Sequence, residues 1–268
     1  MKYKLVAADV DGTLVNDKSV FTPRTLTAIR EAVDAGVIFA VATGRPMCAA
    51  KELLSLTSKD MPIIIFNGAN VFMSKSQKVL AHDYLDFDLA KEVYEMSIVR
   101  DVALALWADD HLWVSRNCKF VQAYRRLSDA EVTTISDMEA LREQGISKIV
   151  WLDTPEVVVQ LQTEMNEHFG DRLNCHVSLP QVLEFVGPET SKAKALAEIG
   201  RLYGIDQSEM IAVGDGFNDI SMIRYAGLGV AVENAPAEVR NAADYVTLSN
   251  NDDGVAAVIE KFILNDRH

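Results

Sequence analysis

The sequence has few cysteines, a shortage of basic charge and no long apolar run. Its three cysteines, Cys48, Cys118 and Cys175, lie far apart and form no Cys-x-x-Cys pair. That spacing argues against a disulfide frame and against zinc knuckles, and points to reduced thiols. Lysine and arginine number 26 against 39 aspartates and glutamates, a net charge of −13. An acidic surface repels nucleic acid backbones and anionic lipid headgroups, so neither is expected as a partner. It also repels a phosphate ester, and an anionic substrate would therefore need a local cation. No run approaches the ~20 apolar residues of a membrane span. Lys2 and Lys4 stand near the start, but Asp9 and Asp11 interrupt the apolar stretch that a signal peptide would require. A cytoplasmic location is the expectation.

What is present is enough hydrophobic residue for a sizeable core: 49% of 268 residues, compatible with one large or two medium domains. The chain is organised around Leu5-Val-Ala-Ala-Asp-Val-Asp-Gly-Thr13. Leu5 to Ala8 has the length of a buried strand. Gly12 and Thr13 break it. Side chains two apart on a strand point to the same side, so Asp9 and Asp11 face one cavity at the strand's carboxyl end. Ligands of open α/β sheets sit at that end. Two like charges so close repel, and one pKa should rise unless a cation intervenes. The pair suits a nucleophile and metal ligand beside a proton shuttle. It also suits plain turn aspartates.

The rest of the chain alternates. Thr22-Pro23 reads as the N-cap and first residue of a helix that stops at Gly36. Val37 to Ala42 reads as a strand ending in Thr43-Gly44-Arg45-Pro46. Lys51 to Leu56 reads as a helix, and Pro62 to Phe66 as a strand ending in Asn67-Gly68. This is the pattern of a parallel sheet. From about His82 the regularity is lost. Helices over 87–97 and 155–169, strands over 102–107, 112–115 and 147–152, an Asp109-Asp110 turn and a hairpin over 175–186 suit a separate α+β module. Trp107, Trp113 and Trp151 all fall there and are assigned to its core. Then the first pattern returns. A helix over 191–203 precedes the strand Met210 to Val213, which ends in Gly214-Asp-Gly-Phe-Asn-Asp219. A strand over 228–232, a helix over 237–242, a strand over 245–247 and a helix over 254–264 complete it, the last capped by Asp252-Asp253. The expected fold is α/β: a doubly wound parallel-sheet, Rossmann-like core over 1–81 and 188–268, with an inserted α/β cap over 82–187.

Four strand ends thus carry polar turns: Asp9/Asp11, Thr43/Arg45, Asn67 and Asp215/Asn218/Asp219. Lys192 opens the helix that resumes the core. Singly each has a bland account as cap, turn or surface charge. Together they resemble the haloacid dehalogenase superfamily of phosphohydrolases. Asp9-Val-Asp-Gly-Thr-Leu is similar to its first motif, Ala42-Thr-Gly-Arg-Pro to the second, Lys192 to the third-motif lysine and Gly214-Asp-Gly-Phe-Asn-Asp to the fourth. Asn67-Gly-Ala69, Asn234-Ala and the insertion between the second and third motifs resemble its Cof-type subfamily. Two residues depart from that pattern: Ala193, where glycine usually follows the lysine, and Phe66, where a small residue often precedes Asn-Gly.

The resemblance implies roles. Asp9 would take the phosphoryl group, and Asp11 would protonate the leaving oxygen and then deprotonate water. Mg²⁺ would sit between Asp9, the Asp11 backbone carbonyl and Asp215, an oxygen-only site. Thr43 and Lys192 would bind phosphoryl oxygens, with Gly44 and Asn67 lining the substrate. Asn218 would orient Lys192 or the phosphate, and Arg45 would add a forked contact. Asp219 would either reach the metal through water or cap the following helix. The implied substrate is a small phosphorylated metabolite: a sugar phosphate, a nucleotide, or flavin or pyridoxal phosphate. A phosphomutase of the same superfamily, and a non-catalytic Mg²⁺-binding regulator phosphorylated on Asp9, are the alternatives. The sequence does not give the oligomeric state.

Overall fold

The computed structural model describes residues 2–128 and 130–265. The strands in chain order are β1 (Leu5–Ala8), β2 (Ile38–Ala42), β3 (Pro62–Ile65), β4 (Asn70–Met73), β5 (Val79–His82), β6 (Ala103–Ala108), β7 (His111–Val114), β8 (Val132–Thr134), β9 (Ile146–Leu152), β10 (Asn174–Leu179), β11 (Val182–Val186), β12 (Met210–Gly214), β13 (Leu228–Ala231) and β14 (Tyr245–Val246). The helices are α1 (Pro23–Asp34), α2 (Phe87–Val99), α3 (Lys119–Arg125), α4 (Pro155–Phe169), α5 (Lys192–Tyr203), α6 (Ile220–Tyr225), α7 (Ala237–Ala242) and α8 (Gly254–Ile259). They form two compact units. One comprises Met1–Gly44, Glu52–Ala81 and Ser191–His268, the other Arg45–Lys51 and His82–Thr190.

The first unit is built on one sheet of order β14-β13-β12-β1-β2-β3-β4-β5. From β14 to β3 every pairing is parallel, with Leu5 opposite both Met210 and Ile38. Strands buried on both faces must be apolar throughout. Leu5 to Ala8, Phe39 to Ala42 and Met210 to Val213 meet that demand, none exceeding 1% exposure. Because these strands run the same way, their carboxyl ends share one edge of the sheet. α1 begins as the sequence indicates. Thr22 accepts the Thr25 N–H, Pro23 stands in the first turn, and Gly36 follows the end with φ 92.

Several expectations are corrected here. The sheet is not purely parallel, since β4 folds back antiparallel on β3 and β5 extends that edge. β3 stops at Ile65, because Phe66 and Asn67 both turn into the left-handed region at φ 50 and 57. Residues 51–55 wind as a 3₁₀ helix in place of an α-helix. Leu56 accordingly bonds back to Leu53, the three-residue spacing of that helix type. Asp253 stands at the N-cap of α8, yet its carboxylate makes no bond to that helix and accepts instead from the hydroxyls of Thr22 and Thr25. The last helix keeps α geometry to Ile259 and widens into a π turn over Glu260–Leu264. Phe262 lies in that turn, edge-on to Tyr3 and Tyr245.

The second unit is a six-stranded sheet of order β10-β11-β9-β6-β7-β8, antiparallel except for β7 beside β8. Leu104, Leu106, Ile149, Trp151, Leu183 and Phe185 form one core with Ala90 and Val93 of α2 and Val158, Leu161 and Met165 of α4. Trp107 and Trp151 are fully buried, as a packing role requires. α3 and β8 have no counterpart in the sequence pattern. Asp109 and Asp110 form the two-residue turn of the β6–β7 hairpin, both with positive φ.

Asp110 carries a testable pH dependence. Its carboxylate accepts the Met47 N–H at 2.9 Å. Burial pushes its pKa up to about 6, against the opposing pull of that N–H. The folded value exceeds the ordinary 3.8, so the native state holds the proton more tightly between the two. The contribution to stability is therefore fully present below about pH 4 and is lost as pH rises through about 6. Asp110→Asn should remove this slope. Melting curves should show the variant gaining on wild type from about pH 4 to pH 7, and a constant difference would rule the effect out.

Candidate active site

The shared carboxyl edge of the first unit gathers residues from four strand ends and one helix start. β1 delivers Asp9, whose N–H donates to the Val213 carbonyl at 2.9 Å, locking it beside β12. β12 delivers Asp215, whose Oδ1 accepts the Thr13 hydroxyl at 2.7 Å. β2 delivers Thr43, 1% exposed, with its N–H on the Ile64 carbonyl. α5 starts at Lys192 because Ser191 caps it, accepting the Lys194 N–H. That places the lysine in the first turn, aimed into the cluster.

Lys192 is the centre of the site. It is fully buried and donates to Asp9 Oδ1 and to Asp219 Oδ1, each at 2.6 Å. Asp219 is fully buried as well. It is the N-cap of α6, but its side chain makes no capping bond there. Its other oxygen accepts the N–H groups of Asp215 and Gly216, at 3.0 and 2.8 Å. Asp219 thus ties the lysine to the loop that carries Asp215. Thr13, whose only sequence signal is its place in the Asp-Gly-Thr turn, ties the first motif to Asp215.

Asn67 and Asn218 meet each other, with Asn218 Nδ2 donating to Asn67 Oδ1 at 2.9 Å. Asn218 was expected to orient Lys192 or the phosphate, and the structure engages its amide with Asn67. The Asn67 N–H donates to the Thr43 carbonyl. Gly44 passes so close that a Cβ there would lie 2.9 Å from Asn67 Oδ1. Asp11 is exposed and starts the turn after β1, bridging to Val15. Arg45 belongs to the second unit, where its guanidinium donates to the Ala49 carbonyl at 3.2 Å.

The electrostatics follow from burial. Desolvation pushes Asp9 up to about 8, Lys192 opposes the rise, and Asp219 and Asp215 add to it. Burial also works against the Lys192 ammonium, but Asp219 and Asp9 outweigh it and hold its pKa above the ordinary value. Asp215 is raised too, by burial first. Asp9, Asp215 and Asp219 each offer an oxygen within 4.8 Å of the others, near enough to hold a metal ion. Three carboxylates against one ammonium leave negative charge that a hard cation suits.

A family model described as haloacid dehalogenase-like hydrolase matches residues 6–259. The chain belongs to this family. Among its relatives, the 5-amino-6-(5-phospho-D-ribitylamino)uracil phosphatase YcsE of Bacillus subtilis is 30% identical, the match covering 97% of this chain and 96% of YcsE. Among solved structures, TM0651 from Thermotoga maritima is 29% identical with a TM-score of 0.87, over 97% of each chain. The subclass IIB sugar phosphatase BT4131 is 25% identical with a TM-score of 0.78, over 97% of this chain and 98% of that one. These likenesses make the chain a hydrolase of phosphoric monoesters in the haloacid dehalogenase superfamily, with the α/β fold of that group. Among the described residues no helix is long and apolar enough to cross a membrane.

Proposed function

We propose that this member of the family is a Mg²⁺-dependent phosphatase that works through an aspartyl-phosphate on Asp9. The observation that carries the reading is the buried Asp9 carboxylate, held at 2.6 Å by Lys192 and grouped with Asp215. In the first step an Asp9 oxygen attacks phosphorus, the ester P–O bond breaks, and the Asp11 carboxyl gives its proton to the departing alkoxide. In the second, the Asp11 carboxylate takes a proton from water, the water oxygen attacks phosphorus, and Asp9 leaves. Lys192 and Thr43 bind the phosphoryl oxygens. The Asn67–Asn218 pair and Gly44 line the place of the substrate. Arg45 would add a forked contact to the phosphate.

Asp9, Asp215 and the Asp11 carbonyl would hold Mg²⁺. The donor set fits, being hard oxygen throughout. Both Asp219 oxygens are already engaged, so its part is to position Lys192 and the Asp215 loop. When bound, Mg²⁺ supplies the positive charge that lets a carboxylate approach an anionic phosphate. Phosphoryl transfer is mostly positioning and charge neutralisation, and this set provides both. The substrate is a small phosphorylated metabolite. A phosphorylated ribityl compound for YcsE and sugar phosphates for BT4131 support that class without selecting a member.

The test is phosphate release from p-nitrophenyl phosphate and from a panel of sugar phosphates, nucleotides, and flavin and pyridoxal phosphates. EDTA should abolish turnover and Mg²⁺ restore it. Ca²⁺ should replace it poorly, because its longer bonds and higher coordination number misplace the nucleophile. Full activity in chelator would sink the metal assignment.

A further inference from the structure

Two asparagines outside the four motifs grip the turn that carries Asp11. Asn234 follows β13 and Asn250 follows β14, strands that lie two and three places from β1 in the sheet. Asn234 Nδ2 donates to the Gly12 carbonyl at 2.8 Å, and Asn234 Oδ1 accepts the Asn250 N–H at 2.9 Å. A carbonyl only accepts and an N–H only donates, so the amide has one orientation that satisfies both. Asn250, 4% exposed, donates from Nδ2 to the Val15 carbonyl at 3.1 Å and to the Asp17 carboxylate at 3.2 Å. Gly12 directly follows Asp11, and Val15 is the residue to which Asp11 bridges. The two side chains therefore hold both ends of the turn.

Asp215 holds the turn as well. Gly12 has φ 83, and a Cβ on it would stand 2.5 Å from Asp215 Oδ2. Thr13 donates to the same carboxylate. The turn thus packs on Asp215 and is bonded through its Gly12 and Val15 carbonyls. Asp11, the exposed acidic residue of the first motif, opens the turn that these contacts hold.

We infer that Asn234, backed by Asn250, is the positioning residue for the proton-transferring Asp11. The inference rests on the phosphatase reading given above. Asn234 touches no reacting atom. It fixes the Gly12 carbonyl, and with it the height of Asp11 over the leaving oxygen. General acid catalysis contributes about 10²–10⁴-fold, and a misplacement of about 1 Å costs on the order of 10²-fold. Loss of the clamp should therefore slow esters with alkoxide leaving groups, which need the proton, far more than an aryl ester, whose leaving group departs as a stabilised anion.

The experiment compares wild type, Asn234→Ala, Asn234→Asp and Asn251→Ala in saturating Mg²⁺. The substrates are p-nitrophenyl phosphate and whichever of glucose 6-phosphate, ribose 5-phosphate or glycerol phosphate the wild type turns over fastest. Asn234→Asp keeps the acceptor for the Asn250 N–H but loses the donor to Gly12, so it serves should the alanine variant fail to fold. Asn251→Ala is the control, since Asn251 binds the Asp17 carboxylate and N–H and neither turn carbonyl. The alkyl-to-aryl ratio of kcat should fall about tenfold or more in both Asn234 variants, with KM little changed, and stay within about twofold in Asn251→Ala. An equal fall for both esters, an unchanged ratio, or the same drop in Asn251→Ala would overturn the inference while the phosphatase reading stands. A wild type inert on every ester would overturn that reading, and this inference with it.

Discussion

Asp9→Asn is expected to lower turnover on the order of 10⁴-fold or more with every substrate, because no carboxylate oxygen remains to attack phosphorus. The substitution keeps size and shape, and the amide oxygen still accepts from Lys192, which sits 2.6 Å from Asp9 Oδ1. Asp9 also carries the cost of being buried among Asp219 and Asp215. Neutralising it removes that cost, so the metal-free variant should melt no lower than wild type near neutral pH. Acid-quenched wild type given substrate should show added phosphate mass on the intact protein, and the variant none. A variant that keeps a tenth of wild-type activity, or that still gains phosphate, would show that the nucleophile lies elsewhere.

Lys192→Met should fail in two ways at once. The ammonium is fully buried and is the hydrogen-bond partner of Asp9 Oδ1 and Asp219 Oδ1. Removing one side of a buried charge cluster leaves the other uncompensated, and such losses run to about 3–5 kcal/mol. Activity should also fall on the order of 10²–10³-fold or more, since a preorganised donor to phosphoryl oxygen is gone. The two effects separate in the double variant Lys192→Met/Asp219→Asn. The neutral amide no longer needs a cation, so much of the stability should return. Activity should not. Denaturant unfolding and initial rates measure the two independently. A double variant as unstable as the single one would mean that Asp219 is anchored by the Asp215 and Gly216 N–H groups alone.

The elements most legible in the sequence were those whose pattern is local. α4 at Pro155–Phe169 and α7 at Ala237–Ala242 run between the residues their patterns indicate. β1 at Leu5–Ala8 does so too, because a strand buried on both faces must be an unbroken apolar run. Thr22 caps the helix it precedes, since a cap bond spans only a few residues. The residue types of the candidate site were legible for the same reason: Asp9, Thr43, Lys192 and Asp215 lie in turns or at a helix start that the chain itself marks.

What the local pattern did not contain is partnership across the chain. That Asn218 bonds Asn67, 151 residues away, and that Asp219 joins Lys192 to the Asp215 loop, depends on which strand lies beside which. The sheet order β12-β1-β2-β3 decides it. Asp253 shows the same limit, for a carboxylate at a helix N-cap favours that helix by local rules, yet two hydroxyls 231 and 228 residues away outbid them. Phe66 and Asn67 leave β3 early with positive φ, a costly conformation for a bulky residue. Only the surrounding fold, with the Asn67 N–H on the Thr43 carbonyl, holds them there. The sequence by itself determined the apolar strands β1, β2 and β12, the Thr22 cap and which polar residues stand at strand ends. The tertiary structure decided which of those residues touch, because hydrogen bonds between distant loops are set by sheet order and burial, neither of which a local pattern encodes.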